Sequence, residues 1–177
     1  SKKFRVENLQ LGFDKNTHKI NLRDINLNSY LNNKSVLIIG SGESINSNYK
    51  FLIDFIEKKK PIVIELNAKK LIKEEYVDLR VASNPIRIIS DCEKYSNDDI
   101  PLIIPKEVFT NYLANKIDSS NVYNYGLMID SHSFIFEPNK CIIPNNSVIA
   151  YALSIANSGN AKEIFLAGFD GYSPIDE

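Results

Sequence analysis

The chain has 177 residues, 44% of them hydrophobic and 24% charged, with a net charge of −1; that is enough for one domain with a real core and argues against a disordered chain. No apolar run approaches the roughly 20 residues that span a bilayer. The near-neutral balance, whose one dense basic run is Lys58-Lys59-Lys60, argues against a nucleic-acid partner.

In chain order, residues 1–33, with "FDKNTH" as a turn and His18 inside it, read as a linker or short N-terminal hairpin. "KSVLIIG" (34–40) is an unbroken apolar, β-branched run, the mark of a strand covered on both faces of a parallel sheet. "INSNYKFLIDFIEKK" follows with Tyr49, Leu52, Ile53 and Ile56 at helical spacing; Pro61 ends it, and "PIVIELN" is the next strand. A strand, helix and strand in this order make parallel neighbours joined by a right-handed crossover.

The pattern continues with "VDLRVAS" as a strand, "PIRIISDCEKY" as a helix with Pro85 at its first position, and "PLIIP" as a strand. "KEVFTNYLANKI" reads as a helix and "VYNYGLMI" as one strand. "NSVIAYALSIANSG" is a helix opened by Asn146 or Ser147 and closed by Gly159, and "KEIFLAG" is the closing strand. The expected fold is α/β, a three-layer, Rossmann-like, doubly wound and mostly parallel sheet over 34–177.

Ligands in such sheets sit beyond the carboxyl ends of the strands, where the first turn meets them at a helix start. In "GSGES", Gly40 and Gly42 let the backbone approach an anion closely, with Ser41 between them and Ser44 offering a hydroxyl or a cap. The third glycine of the dinucleotide fingerprint is absent. Glu43 would repel a phosphate unless it points away, and reads equally well as a solvated residue in the first helical turn.

Asn67 and Asn84, after the second and third strands, suit either recognition of a base or sugar by paired amides or local turn and cap chemistry. Glu65 stands where an acid would hold a ribose, or is simply exposed at a strand end. Arg87 is a phosphate contact or a surface charge. Asp170, between Gly168 and Gly171, contacts a ligand or ties its own loop. "DSHSF" places Asp130, Ser131 and His132 side by side, but neighbours in sequence do not make a catalytic triad, and His132 is either a general base or a solvated loop residue. Cys92 and Cys141 form no CxxC pair, and the histidines and cysteines have no ligand-like spacing, so neither a disulfide framework nor a metal is expected and a cytoplasmic setting follows.

The order "VLIIGSGES", a strand ending in Asn67, "VASNPIRI", a long Ala-rich helix and "KEIFLAGFDGY" resembles the bacterial sialyltransferase-like domain of capsule and lipooligosaccharide enzymes, from about Val36 to Tyr172. The resemblance implies a Rossmann-like fold that binds a CMP-sugar through Gly40, Gly42, Ser44, Asn67 and Asn84, with Asp170 near the ligand. The chain departs from the active enzymes. Ser41 and Glu43 replace the usual Asn and Pro of the turn, and the tyrosines expected at the start of the long helix are missing apart from Tyr151, which should face the core. The segment that would carry the catalytic histidine lies beyond "AGFDGY".

A similar domain with "GFDGY" near its end stands behind aldolase domains of the HMG-CoA-lyase-like, 4-hydroxy-2-oxovalerate type in bacterial surface-polysaccharide proteins. The resemblance to that version implies a carboxyl-terminal accessory domain that binds a nucleotide or nucleotide-sugar. On this reading the lyase chemistry and a partner aldolase domain lie upstream, the domain needs no cofactor of its own, and the chain, which begins without Met, is a piece of a longer protein. A glycosyltransferase using a CMP-sugar is the alternative; a dinucleotide oxidoreductase is weakened by the absent third glycine.

Overall fold

A computed structural model describes residues 22–96 and 99–171. Seven strands form one sheet in which every pairing is parallel, in the order β1 (Arg23–Asp24), β6 (Val122–Asn124), β5 (Leu102–Ile104), β4 (Leu79–Val81), β3 (Ile62–Leu66), β2 (Ser35–Ile39) and β10 (Glu163–Ala167). A second sheet has the order β7 (Gly126–Ile129), β9 (Lys140–Ile143) and β8 (Ile135–Glu137), parallel between β7 and β9 and antiparallel between β8 and β9.

Period-two alternation assigns the faces of the large sheet. Val36 and Ile38 point into one core with α1 (Leu27–Leu31) and α7 (Val148–Ser158), which supplies Tyr151, Ala152 and Ile155. Leu37 and Ile39 point to the other, under Ile45 of α2 (Ser44–Ser47) and Leu52 and Ile56 of α3 (Tyr49–Lys59). Further along that face, α4 (Pro85–Ser90), α5 (Cys92–Ser96) and α6 (Asn111–Ala114) cover β4 to β6 through Ile88, Cys92 and Leu113. Helices on both faces of a parallel sheet make this a three-layer, doubly wound, Rossmann-like fold, as the sequence predicts.

Several predicted elements change at their edges. Of the stretch read as linker or hairpin, 1–21 lies outside the described residues, while 22–33 belongs to the domain: β1 extends the sheet beside β6, and Leu27 and Leu31 are core. The helix predicted after the glycine turn is broken at Asn48 (φ −116°, ψ 20°) into α2 and α3, and α3 ends in a left-handed Lys60 before Pro61. "KEVFTNYLANKI" is a 3₁₀ turn, Lys106–Val108, and the single turn α6; its helical periodicity reflects Phe109 and Leu113 entering the core from separate turns.

"VYNYGLMI" is two strands in two sheets. The break falls at Tyr125, whose ring is buried and whose hydroxyl lies within hydrogen-bonding distance of the Glu137 and Lys140 carbonyls and of Ser158 Oγ. The second sheet was not predicted at all. The end of α7 is also more specific than a glycine stop. Gly159 has an ordinary φ of −81° and is needed because a Cβ there would meet Leu31 of α1 at 2.7 Å, while Asn160 takes the left-handed position. The Asn160 N–H donates to Asn157 O and the Ala161 N–H to Ala156 O, which closes the helix.

Candidate functional site

The winding direction reverses at β2, which has β3 on one side, reached through α3, and β10 on the other, reached through α7 on the opposite face. Crevices at such reversals hold ligands in open α/β sheets. The glycine turn, 40–44, lies at this point, but its Gly40, Gly42 and Ser44 amides are engaged by Ala167, the last residue of β10, and by the loop that follows it. Gly40 N–H donates to Ala167 O and Gly42 N–H to Gly168 O, each at 2.8 Å. Ser44 N–H donates to Asp170 Oδ2 at 2.6 Å, and the Ser44 hydroxyl to Asp170 Oδ1.

The glycines are required by this closure. A Cβ on Gly40 would lie 2.5 Å from Gly168 O and 2.8 Å from the Phe169 ring, and one on Gly42 would lie 2.5 Å from the Asp170 carboxylate. Gly168 itself adopts φ +75° over Ile45. The Ser44 hydroxyl, followed by the Ser44 amide, holds the Asp170 carboxyl below its ordinary range. The anion at this turn is therefore the chain's own carboxylate, while Ser41 and Glu43 are exposed.

The neighbouring strand ends differ. Asn67, closing β3, adopts φ +59° and donates its N–H to Val81 O at 2.9 Å. The residue is 6% exposed, and Oδ1 has no hydrogen-bond partner among the described residues. Ser83, just past β4, is 1% exposed, and its Oγ likewise has none. Asn146 Nδ2 reaches Ser83 O at 3.4 Å, which brings the start of α7 to the same place. Ser147 is the N-cap of α7 but makes no side-chain capping bond, so the eleven-residue helix begins here with its first-turn amides uncapped by a side chain.

Asn84 is committed elsewhere: its Oδ1 accepts from the amides of Ile86 and Arg87, capping α4 with Pro85 in the first turn, and Arg87 is exposed. The structure thus brings Asn146 and the start of α7 to Ser83, with Asn67 at the end of the adjacent strand, bonded to Val81. It gathers Gly40, Gly42, Ser44 and Asp170 into a separate closed latch. Sequence reasoning missed Ser83, whose signal was its place beside Asn84 at a strand's carboxyl end, and read Asn146 only as a cap.

Glu65 is corrected outright. It is fully buried opposite its register partner Arg80, accepts from Arg80 Nε at 2.9 Å and from Leu71 N at 3.0 Å, and so serves the helix layer and the 67–74 loop instead of a ribose. Burial among these groups pushes the Tyr95 hydroxyl well up. Tyr151 faces the core as expected, its hydroxyl donating to Tyr125 O.

His132 projects from the loop before β8 with a side chain 92% exposed and Nδ1 at 2.9 Å from Ser131 Oγ. Asp130 closes that loop by accepting from the Ser133 hydroxyl and, to a lesser degree, from His132 N–H, which together lower its pKa; this is local turn chemistry. Both cysteines are buried, and burial raises the Cys141 thiol. Among the described residues no group of three His, Cys, Asp or Glu side chains is arranged to hold a metal, and no helix is long and apolar enough to cross a membrane. His18 and Tyr172 lie outside the described residues.

No protein-family model matches the chain. No curated protein matches it either.

Proposed function

We propose that the chain is a Rossmann-like domain that binds a nucleotide or nucleotide-linked sugar at the carboxyl ends of β3 and β4. In this reading it is the carboxyl-terminal accessory domain of an aldolase-type protein of bacterial surface-polysaccharide biosynthesis. The observation that carries the binding reading is the pair of buried oxygens without a partner among the described residues, Asn67 Oδ1 and Ser83 Oγ, at the adjacent ends of β3 and β4, where Asn146 holds the start of α7 to Ser83. A buried acceptor without a partner costs about 1 to 3 kcal/mol, and a ligand bearing hydroxyl and amino donors offsets that cost.

An amide oxygen and a hydroxyl suit a base edge or a sugar, and an uncapped helix start suits an anionic group on the same molecule. The accessory role draws its support from the motif order of the sequence.

Thermal unfolding and calorimetric titration with CMP, UMP, UDP and a CMP-sugar test this. A ligand at 100 times its Kd stabilises by about 2.7 kcal/mol, which for a chain of this size raises Tm by about 5 to 10 °C. Binding that weakens in Ser83→Ala is the expected result. No shift with any of the four would overturn the reading, and turnover of the CMP-sugar would replace the accessory role with a transferase.

A further inference from the structure

The two edges of the central sheet are built differently. β1 is two residues long and both are charged, Arg23 and Asp24, which blunts an edge against further pairing. β10 has five residues, of which only Glu163 is charged, and that carboxylate is already bound by Lys59 Nζ at 3.0 Å and Ser35 Oγ at 2.6 Å. The rest of the strand, Ile164 to Ala167, carries no charge, no proline and no bulge that would deter a partner.

Apolar surface continues along this edge. Leu166 is 50% exposed, Phe51 of α3 is 79% exposed and Phe169 is 38% exposed, around a groove of about 420 Å³ between α2, α3 and the loop after β10. An uncharged, apolar edge strand is a template for another strand. The charges around it indicate which strand. Exposed Lys34, Lys59 and Lys162 stand at the amino end of β10, where the Lys162 N–H donates to Lys34 O. Exposed Glu43 and Asp170 stand at its carboxyl end, where Gly42 and Ser44 meet the loop after β10.

An antiparallel strand with the same polarity of charge sets cations against anions at both ends, and a second copy of this chain presents such a strand. Pairing about a two-fold axis at Phe165 places Ile164 opposite Leu166 twice, on the same face of the sheet. It is a self-complementary contact that closes after two copies. We propose that two copies of this chain associate edge to edge through antiparallel β10 strands, giving one sheet that runs through both. The inference is independent of what the carboxyl-end crevice binds.

Sedimentation equilibrium across a concentration series tests it. The expected mass is twice 20.1 kDa, with dissociation promoted by salt. Leu166→Lys, at a half-exposed position, should weaken the dimer at least about tenfold while leaving Tm of the monomer unchanged. Lys162→Glu and Glu43→Lys should each weaken it, and the two together should restore it. A wild-type monomer at every concentration overturns the proposal, as does a dimer indifferent to all of these changes. If Leu166→Lys does not fold, the charge exchange decides alone, and failure of the double variant to recover the dimer overturns the proposal. Amide exchange in β10 should slow as the dimer forms; exchange unaffected by concentration also counts against it.

Discussion

Two bends at the same end of the same sheet treat their polar groups in opposite ways. At the glycine turn after β2, the Gly40 amide donates to Ala167 at the end of β10 and the Gly42 and Ser44 amides to the loop after it, and Asp170 sits where an external anion would. At the ends of β3 and β4, Asn67 and Ser83 bury side-chain oxygens that no described residue satisfies. Glycines at a strand-to-helix turn mean that something approaches the backbone closely. The contrast teaches that the approaching group can be the chain itself, and that side-chain oxygens unsatisfied by the described residues can lie one and two strands away.

The comparison breaks most severely below the β3 and β4 ends. Arg80→Ala leaves the buried Glu65 carboxylate without its 2.9 Å partner and should cost about 3 to 5 kcal/mol in urea unfolding, whereas replacing both residues by apolar ones of similar size should cost far less. Gly40→Ala tests the latch. With a Cβ driven to 2.5 Å from a backbone oxygen, it should cost about 1 to 3 kcal/mol, a fall in Tm of about 2 to 4 °C per kcal/mol.

Ser83→Ala sharpens the other side. Removing a buried hydroxyl that bonds to nothing among the described residues should leave the free protein at least as stable as the original, because the uncompensated burial goes with it, while weakening binding of the proposed nucleotide ligand. A large loss in the free protein would mean the hydroxyl is structural.

Asp170→Asn gives the smallest effect and the clearest pH signature. The Asp170 carboxyl is held below its ordinary value by Ser44, so its contribution is present above the unfolded-state value of about 4 and is lost as pH falls through the lower folded-state value. Tm against pH should therefore decline less on acidification in the variant than in the parent; equal slopes would show that the latch carboxylate contributes nothing.

Much of the fold was legible in particular residues. The run Val36 to Ile39 announces a strand buried on both faces, and Pro85 after Asn84 announces a capped helix; both are so. The second sheet was not legible, because β7 continues the apolar run of β6 with only Tyr125 between them, and nothing local marks a change of sheet. Glu65 was misplaced for a similar reason. A carboxylate near a strand end looks solvent-facing until the strand beside it is known to carry Arg80 at the matching register position.

The sequence by itself determined the alternation of strand and helix, the two-sided burial of the central strands and the Asn84 cap, since periodicity, proline and side-chain caps act over a few residues. Only the tertiary structure decided which partner the glycine turn meets and, among the described residues, which polar atoms find no bond and which strands lie at the sheet edges. Those outcomes depend on segments more than a hundred residues apart, such as Ser44 and Asp170, whose proximity is set by strand order and not by local preference.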